Sequence, residues 1–120
     1  MIAAGLEIIA LKWLNAFNEH DLEKLLSVYH DEAVHYSPKL KTHKPETNGF
    51  VKGKPALHAW WQDAFNRLPA LHYSVTSLTA NNQRVFMEYM RQVSGEPDML
   101  VAEVLEINEG MIVASRVYHG

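Results

Sequence analysis

The sequence predicts an α+β fold in which helices come first and an antiparallel sheet follows. Three observations carry that expectation. Apolar residues recur at three- and four-residue steps up to Leu68, the spacing of helical stripes. From Leu71 onward they alternate with polar residues, the period of strands. Short turn signals separate the alternating runs, so neighbouring strands run antiparallel.

In the first segment, Ile2, Leu6, Ile9, Trp13 and Phe17 fall on one helical face. After a tight turn around Asn18 to His20, Asp21 starts a second helix bearing Leu22, Leu25, Leu26 and Tyr29, with His30 near its end, where the macrodipole favours a basic group. Ala33 to Pro38 reads as a short strand stopped by proline, and Lys39 to Lys52 as a lysine-bearing loop containing the turn signal Asn48-Gly49. A third helix starts at Gly53-Lys54-Pro55, carries Leu57, Trp61, Ala64, Phe65 and Leu68, and stops at Pro69. Strands then run from Leu71 to Thr79, Arg84 to Ser94, Met99 to Asn108 and Met111 to His119. With a loop over Glu96 to Asp98, Arg91 stands opposite Glu103, Tyr89 opposite Leu105 and Met87 opposite Ile107. The other face carries Phe86, Met90, Val104, Ile112, Ala114 and Tyr118. That set is too apolar for water and predicts a homodimer packed sheet to sheet.

Composition narrows the function classes. At 120 residues, with 48% hydrophobic and 21% charged residues, the chain can bury a core without disulfides or a structural metal. A net charge of -3 offers no electrostatic reason to expect nucleic acid or an anionic membrane as partner. The absence of cysteine removes disulfide frameworks, thiolate catalysis and cysteine-based zinc sites. Met1 to Phe17 holds Glu7 and Lys12 within its apolar stretch and reads as an amphipathic helix rather than a signal peptide. No apolar run reaches spanning length, so a cytoplasmic protein is expected. Seven histidines include no pair at the i, i+4 spacing of a helical zinc site, and no metal is expected. Gly49 to Lys54 mimics a phosphate loop but is one residue short and has Pro55 where a hydroxyl would bind magnesium.

Four local strings carry a family resemblance: Leu14-Asn15-Ala16-Phe17-Asn18-Glu19-His20-Asp21-Leu22, Tyr29-His30-Asp31-Glu32-Ala33-Val34, Gly53-Lys54-Pro55-Ala56-Leu57 and Asn108-Glu109-Gly110-Met111-Ile112-Val113. Together with the order of elements they resemble the nuclear-transport-factor-2-like superfamily and its SnoaL-like branch over nearly the whole chain. The resemblance implies one such domain over residues 1–120: a strongly curved antiparallel sheet wrapped around the three helices as a cone with an internal pocket, the cystatin-like fold. The superfamily holds isomerases, cyclases, hydrolases, dehydratases and noncatalytic transport factors, so fold alone does not select an activity. Laid on this chain, the base of ketosteroid isomerase falls on Ser37, its tyrosine donor on Trp13 and its aspartic-acid donor on Glu103. One acidic group of three is kept, which argues against isomerase activity of that type.

Strand alternation puts His35 and Ser37 on one face. The resemblance turns that face inward, toward Trp13, Phe17, Trp61, Tyr89, Arg91, Glu103, Ser115 and His119. Glu103, His35 and Arg91 are the catalytic candidates: the glutamate or the imidazole relays a proton while the arginine holds a substrate oxygen. Trp13, Phe17, Ser37, Trp61, Tyr89, Ser115 and His119 are the candidate ligand contacts. Plainer readings stand beside these: Arg91 and Glu103 as a structural ion pair across two strands, His35 as a hydrogen-bonded core residue, His119 as an exposed end, and the aromatic residues as core. The expectation is a homodimer that binds a small, largely apolar or aromatic organic molecule, with no cofactor and with acid-base chemistry of isomerase, cyclase or hydrolase type. A noncatalytic ligand-binding or dimeric interaction module is the alternative.

Overall fold

The computed structural model describes residues 3–119, with side chains from Gly5 onward. Helix α1 (Ala3–Asn18) buries the expected stripe of Leu6, Ile9, Trp13 and Phe17. Ile2, expected on the same face, lies outside the described residues. The helix ends in paired bonds, Asp21 N to Ala16 O and His20 N to Phe17 O, with His20 in the left-handed region at φ 55°. Asp21 then caps α2 (Leu22–Ser27) by accepting from Lys24 N.

Two expectations for the next stretch are corrected. Helix α2 stops at Ser27, so Tyr29 and His30 belong to strand β1 (Tyr29–Tyr36) rather than to a helical stripe. Pairing decides this: β1 runs parallel to β6 (Met111–His119), with Tyr29 opposite Ile112, and Ile112 N donates to Val28 O. The lysine-bearing segment is also more ordered than a loop. It forms α3 (Pro38–His43), a 3₁₀ turn (Pro45–Thr47) and strand β2 (Phe50–Lys52), which pairs antiparallel with β1. Ser37 caps α3 from the N-terminal side and Pro38 fills its first turn. Four α-helices therefore accompany the sheet among the described residues, where three were expected.

Helix α4 (Lys54–Arg67) buries Leu57, Trp60, Trp61 and Phe65. Strands β3 (His72–Ala80), β4 (Arg84–Gln92), β5 (Met99–Asn108) and β6 form the meander. The order across the sheet is β2-β1-β6-β5-β4-β3, curved and antiparallel except where β1 meets β6. The helices cover its concave face, giving the expected α+β cone. None of the described helices is long and apolar enough to cross a membrane.

The β4–β5 register differs from the expected one by four residues. Arg91 faces Met99, Tyr89 faces Val101 and Met87 faces Glu103. The turn closes earlier, on Gly95 at φ 84°, with Glu96 N bonded to Val93 O. In β6 the register shifts between Ile107 and Glu106 pairings, which turns Ile112 inward. Ile112 is thus fully buried and leaves the outer face to which alternation assigned it.

Strand β2 depends on Gly49. At φ 87° this residue sits where an added Cβ would lie 2.7 Å from Tyr36 Cε1 and 3.2 Å from Ser37 O, and its carbonyl accepts from Ser37 N. Gly49→Ala should lower unfolding free energy by roughly 1–3 kcal/mol, from left-handed strain and displacement of Tyr36. Urea denaturation checks this; an unchanged midpoint would contradict it.

Candidate functional site

The cone encloses a cavity of about 250 Å³ between α1, α3, α4 and the inner sheet face. Its aromatic wall is a continuous stack. Trp13 lies 5.5 Å from Phe17, Phe17 4.3 Å from Tyr73, and Tyr73 4.0 Å from Tyr89, measured between ring centroids. The wall is fixed to the end of α1 by Asn18, whose side chain donates to Tyr73 O and accepts from Tyr73 N. Trp61 from α4 stands across the cavity against the His35 ring at 5.1 Å.

All the sequence-predicted site residues except Ser115 line the cavity. Ser115 is fully buried behind His35. Sequence reasoning missed Tyr73, Lys39, His43, Trp60 and Glu96, which line it too. Tyr73 was legible as an inward position of its strand by alternation with Leu71. The capping pair Ser37-Pro38 marked α3 and would have placed Lys39 and His43 at the mouth.

The expected ion pair between Arg91 and Glu103 is absent. With Met87 opposite Glu103, Arg91 is displaced four residues along its strand, and its guanidinium Nη1 donates to Glu96 Oε1 at 3.2 Å. Glu103 lies 1% exposed, with Oε1 accepting from Tyr89 Oη at 2.7 Å and Oε2 without a partner. Among the described residues no cation is paired with it. Burial drives its pKa up to about 8, against the smaller lowering effect of the Tyr89 bond. Near neutral pH Glu103 is therefore a carboxylic acid, with Tyr89 on one oxygen and its proton on the other.

Behind the cavity runs a directed chain of hydrogen bonds. Trp13 Nε1 donates to Tyr29 Oη at 3.0 Å, and Tyr29 Oη donates to Ser115 Oγ at 3.0 Å. Ser115 Oγ lies 2.7 Å from His35 Nδ1. Indole N–H is a donor only, so the direction is set at one end. Ser115 Oγ, having accepted from Tyr29, keeps a proton that it can give to His35 Nδ1. In that arrangement His35 carries its proton on Nε2; burial lowers its pKa to about 3, keeping the ring neutral in either tautomer. In that tautomer Nε2 is a donor, and a ring so desolvated is a weaker base than the expected role of His35 assumes. Burial also raises the phenols of Tyr29, Tyr73 and Tyr89, so all three stay protonated.

Among the described residues no cluster of three histidine or acidic side chains could hold a metal ion. The site's chemical equipment is thus an apolar, aromatic enclosure with neutral donors at its base and charges at its mouth.

Comparison with known proteins agrees with this architecture. The SnoaL-like domain profile matches residues 10–115. A SnoaL-like protein of unknown function from Burkholderia thailandensis E264 has a solved structure at TM-score 0.87 and 26% identity, covering 98% of this chain and 95% of that one. A protein of unknown function with a cystatin-like fold from Methylobium petroleophilum PM1 superposes at TM-score 0.81 and 21% identity, over 100% of this chain and 78% of that one. A hypothetical protein with a ketosteroid isomerase-like fold from Catenulispora acidiphila DSM 44928, solved with trimethylamine, does so at TM-score 0.72 and 16% identity, over 92% and 83%. No curated protein matches the chain.

Two predictions follow from the buried groups. Long-range proton–nitrogen NMR should find His35 protonated at Nε2 and bare at Nδ1 from pH 5 to 8, and Ser115→Ala should mix the two tautomers. A proton on Nδ1 in the native protein would mean that Ser115 accepts from both Tyr29 and His35. The second concerns stability. Glu103, raised from 4.5 to about 8, binds more protons folded than unfolded, so its contribution is intact below 4.5 and is lost as pH rises to 8. His35, lowered from 6.5 to about 3, acts oppositely: its contribution is intact above 6.5 and lost as pH falls to 3. Between 4.5 and 6.5 the two slopes cancel. Urea unfolding should show the native chain losing stability relative to Glu103→Gln as pH rises from 6.5 to 8. A constant difference would mean that Glu103 titrates normally.

Proposed function

The chain belongs to the SnoaL-like domain family, and from that premise we propose that it binds a small, largely apolar or aromatic molecule through a hydrogen-bond-accepting oxygen and performs cofactor-free acid-base chemistry on it. Glu103 carries this reading. A buried carboxyl with an unpartnered oxygen costs stability, and a folded domain keeps such groups where they act on something. Its pKa of about 8 lets it give and regain a proton near neutrality.

The cavity limits the ligand. An engineered cavity of about 150 Å³ holds benzene, so the present 250 Å³ suits one or two rings rather than four. Aromatic faces supply the binding surface, and His35 Nε2–H with Glu103 supplies donors. Water takes a proton from the carbon beside the ligand carbonyl; as negative charge grows on the oxygen, Glu103 gives its proton to that oxygen, becomes a carboxylate held by Tyr89, and regains a proton from solvent. Arg91, engaged with Glu96 at the mouth, stands apart from that transfer.

Deuterium uptake into the methyl group of 2-acetylnaphthalene, followed by NMR in D₂O, tests the chemistry because a proton donor at the carbonyl accelerates enolisation. The native chain should accelerate uptake, and Glu103→Gln should lower it by about a hundredfold while staying folded. Equal uptake in both would leave a binding site without chemistry, the noncatalytic alternative.

We also infer that two copies associate through the outer sheet face, where Phe86, Leu100 and Tyr118 are 43–49% exposed in adjacent strands. Sedimentation should show a dimer that Phe86→Glu dissociates. A monomer at every concentration would remove the dimer.

A further inference from the structure

The cavity mouth has an electrical character that its base lacks. Lys39 from α3, Arg91 from β4 and His119 from β6 all line it, although the chain as a whole carries -3. Burial first, and then the charges of Lys39 and Arg91, hold the His119 pKa below its ordinary value. Only two acids line the cavity, Glu96 and Glu103, and Glu103 is protonated near neutral pH. Arg67, also lining, is answered by Asp63 at 2.7 Å. Arg91 is answered by Glu96, and among the described residues Lys39 has no ion-pair partner. One positive charge is left over at the mouth.

The Arg91–Glu96 contact is lopsided. The guanidinium is 11% exposed and offers several donors, whereas the Glu96 carboxylate is 45% exposed on the β4–β5 turn and takes a single bond of 3.2 Å. An ion pair with so exposed a partner is worth about 0–1 kcal/mol. A planar carboxylate meeting a guanidinium through two parallel bonds gains more than that, and Lys39 adds its charge. Little stability is therefore lost when Glu96 gives way to another carboxylate at Arg91. Gly95, with nothing within 4 Å of its Cβ position, leaves the turn sterically free to yield.

We propose that Arg91, Lys39 and His119 form an anion subsite at the mouth, and that the ligand is a one- or two-ring carboxylic acid whose apolar body fills the cavity. In the free protein Glu96 stands in for that carboxylate. The proposal rests on the cavity binding a small apolar molecule, as inferred above. It adds the charge of the ligand and the residues that read it.

The test compares 2-naphthoate with the neutral 2-acetylnaphthalene on the full chain by isothermal titration and ligand-observed NMR. The carboxylate should bind at least about tenfold more tightly, and the preference should shrink as salt rises from roughly 50 to 500 mM. Arg91→Gln should abolish the preference. Glu96→Gln, on a half-exposed turn, should tighten 2-naphthoate by about two- to fivefold, the reverse of losing an exposed ion pair, and leave the ketone unchanged. Equal or tighter binding of the ketone by the native chain overturns the subsite while the cavity reading stands. Weaker or unaltered binding of 2-naphthoate by Glu96→Gln overturns the stand-in role of Glu96. Binding of neither probe overturns the cavity reading and the subsite together.

Discussion

A carboxyl group almost sealed from solvent, with one oxygen bonded and the other alone, constrains everything around it. Ionised, Glu103 would need a cation or several donors in a low-dielectric interior, and it has one tyrosine hydroxyl. The interior resolves this by keeping the proton. Neutral Glu103 requires that no cation approach, and the β4–β5 register supplies that condition by moving Arg91 four residues toward the mouth. The same register that leaves the acid neutral frees the guanidinium for the rim. Closing the turn on Gly95 thus sets both the acidity of the base of the cavity and the charge of its entrance.

His35 is neutral for a different reason. Its ring is desolvated like Glu103, and a chain from Trp13 through Tyr29 and Ser115 ends on its Nδ1. That chain spans α1, both strands of the parallel β1–β6 pair and the aromatic wall. Orientation of one imidazole is therefore tied to the packing of Trp13, the same side chain that begins the stack through Phe17, Tyr73 and Tyr89. Asn18 ties Tyr73, inside that stack, to the helix terminus. Structural and chemical roles of these aromatics coincide.

Side-chain direction was legible in the sequence; pairing was not. Alternation grouped Tyr89, Arg91 and Glu103 on one face and the family resemblance turned it inward with His35; an error of four in register left that intact because an even slip preserves faces. The same slip removed the Arg91–Glu103 ion pair, since contacts depend on register where faces do not. Ile112 failed for the complementary reason: a local register shift in β6 breaks alternation itself, and nothing in Met111-Ile112-Val113 signals it. Tyr29 carried a helical spacing but joined β1 because parallel pairing with β6, 83 residues away by the difference of their positions, satisfied its backbone. Helix α3 differs from these cases, because the Ser37-Pro38 cap was written locally and went unread.

Charge is handled differently on the two sides of the sheet. On the outer face Glu106 accepts from Arg116 and Arg84, and those bonds, Arg116 first, hold its pKa below the ordinary range. There the carboxylate is half-open to water and paired twice, so it is ionised and electrostatically closed. Three residues earlier on the same strand Glu103 has the opposite treatment, buried and unpaired by any cation. Alternation along β5 separates a finished ion-pair network from an unfinished acid by turning one outward and the other inward. A cavity whose only deep acid is neutral exerts no charge repulsion on an incoming anion, and its cationic mouth attracts one. Selectivity for an anionic ligand then needs no further basic residue inside the cone. What it needs is the proton on Glu103, which couples the acid at the base of the cavity to the charge that its mouth can admit.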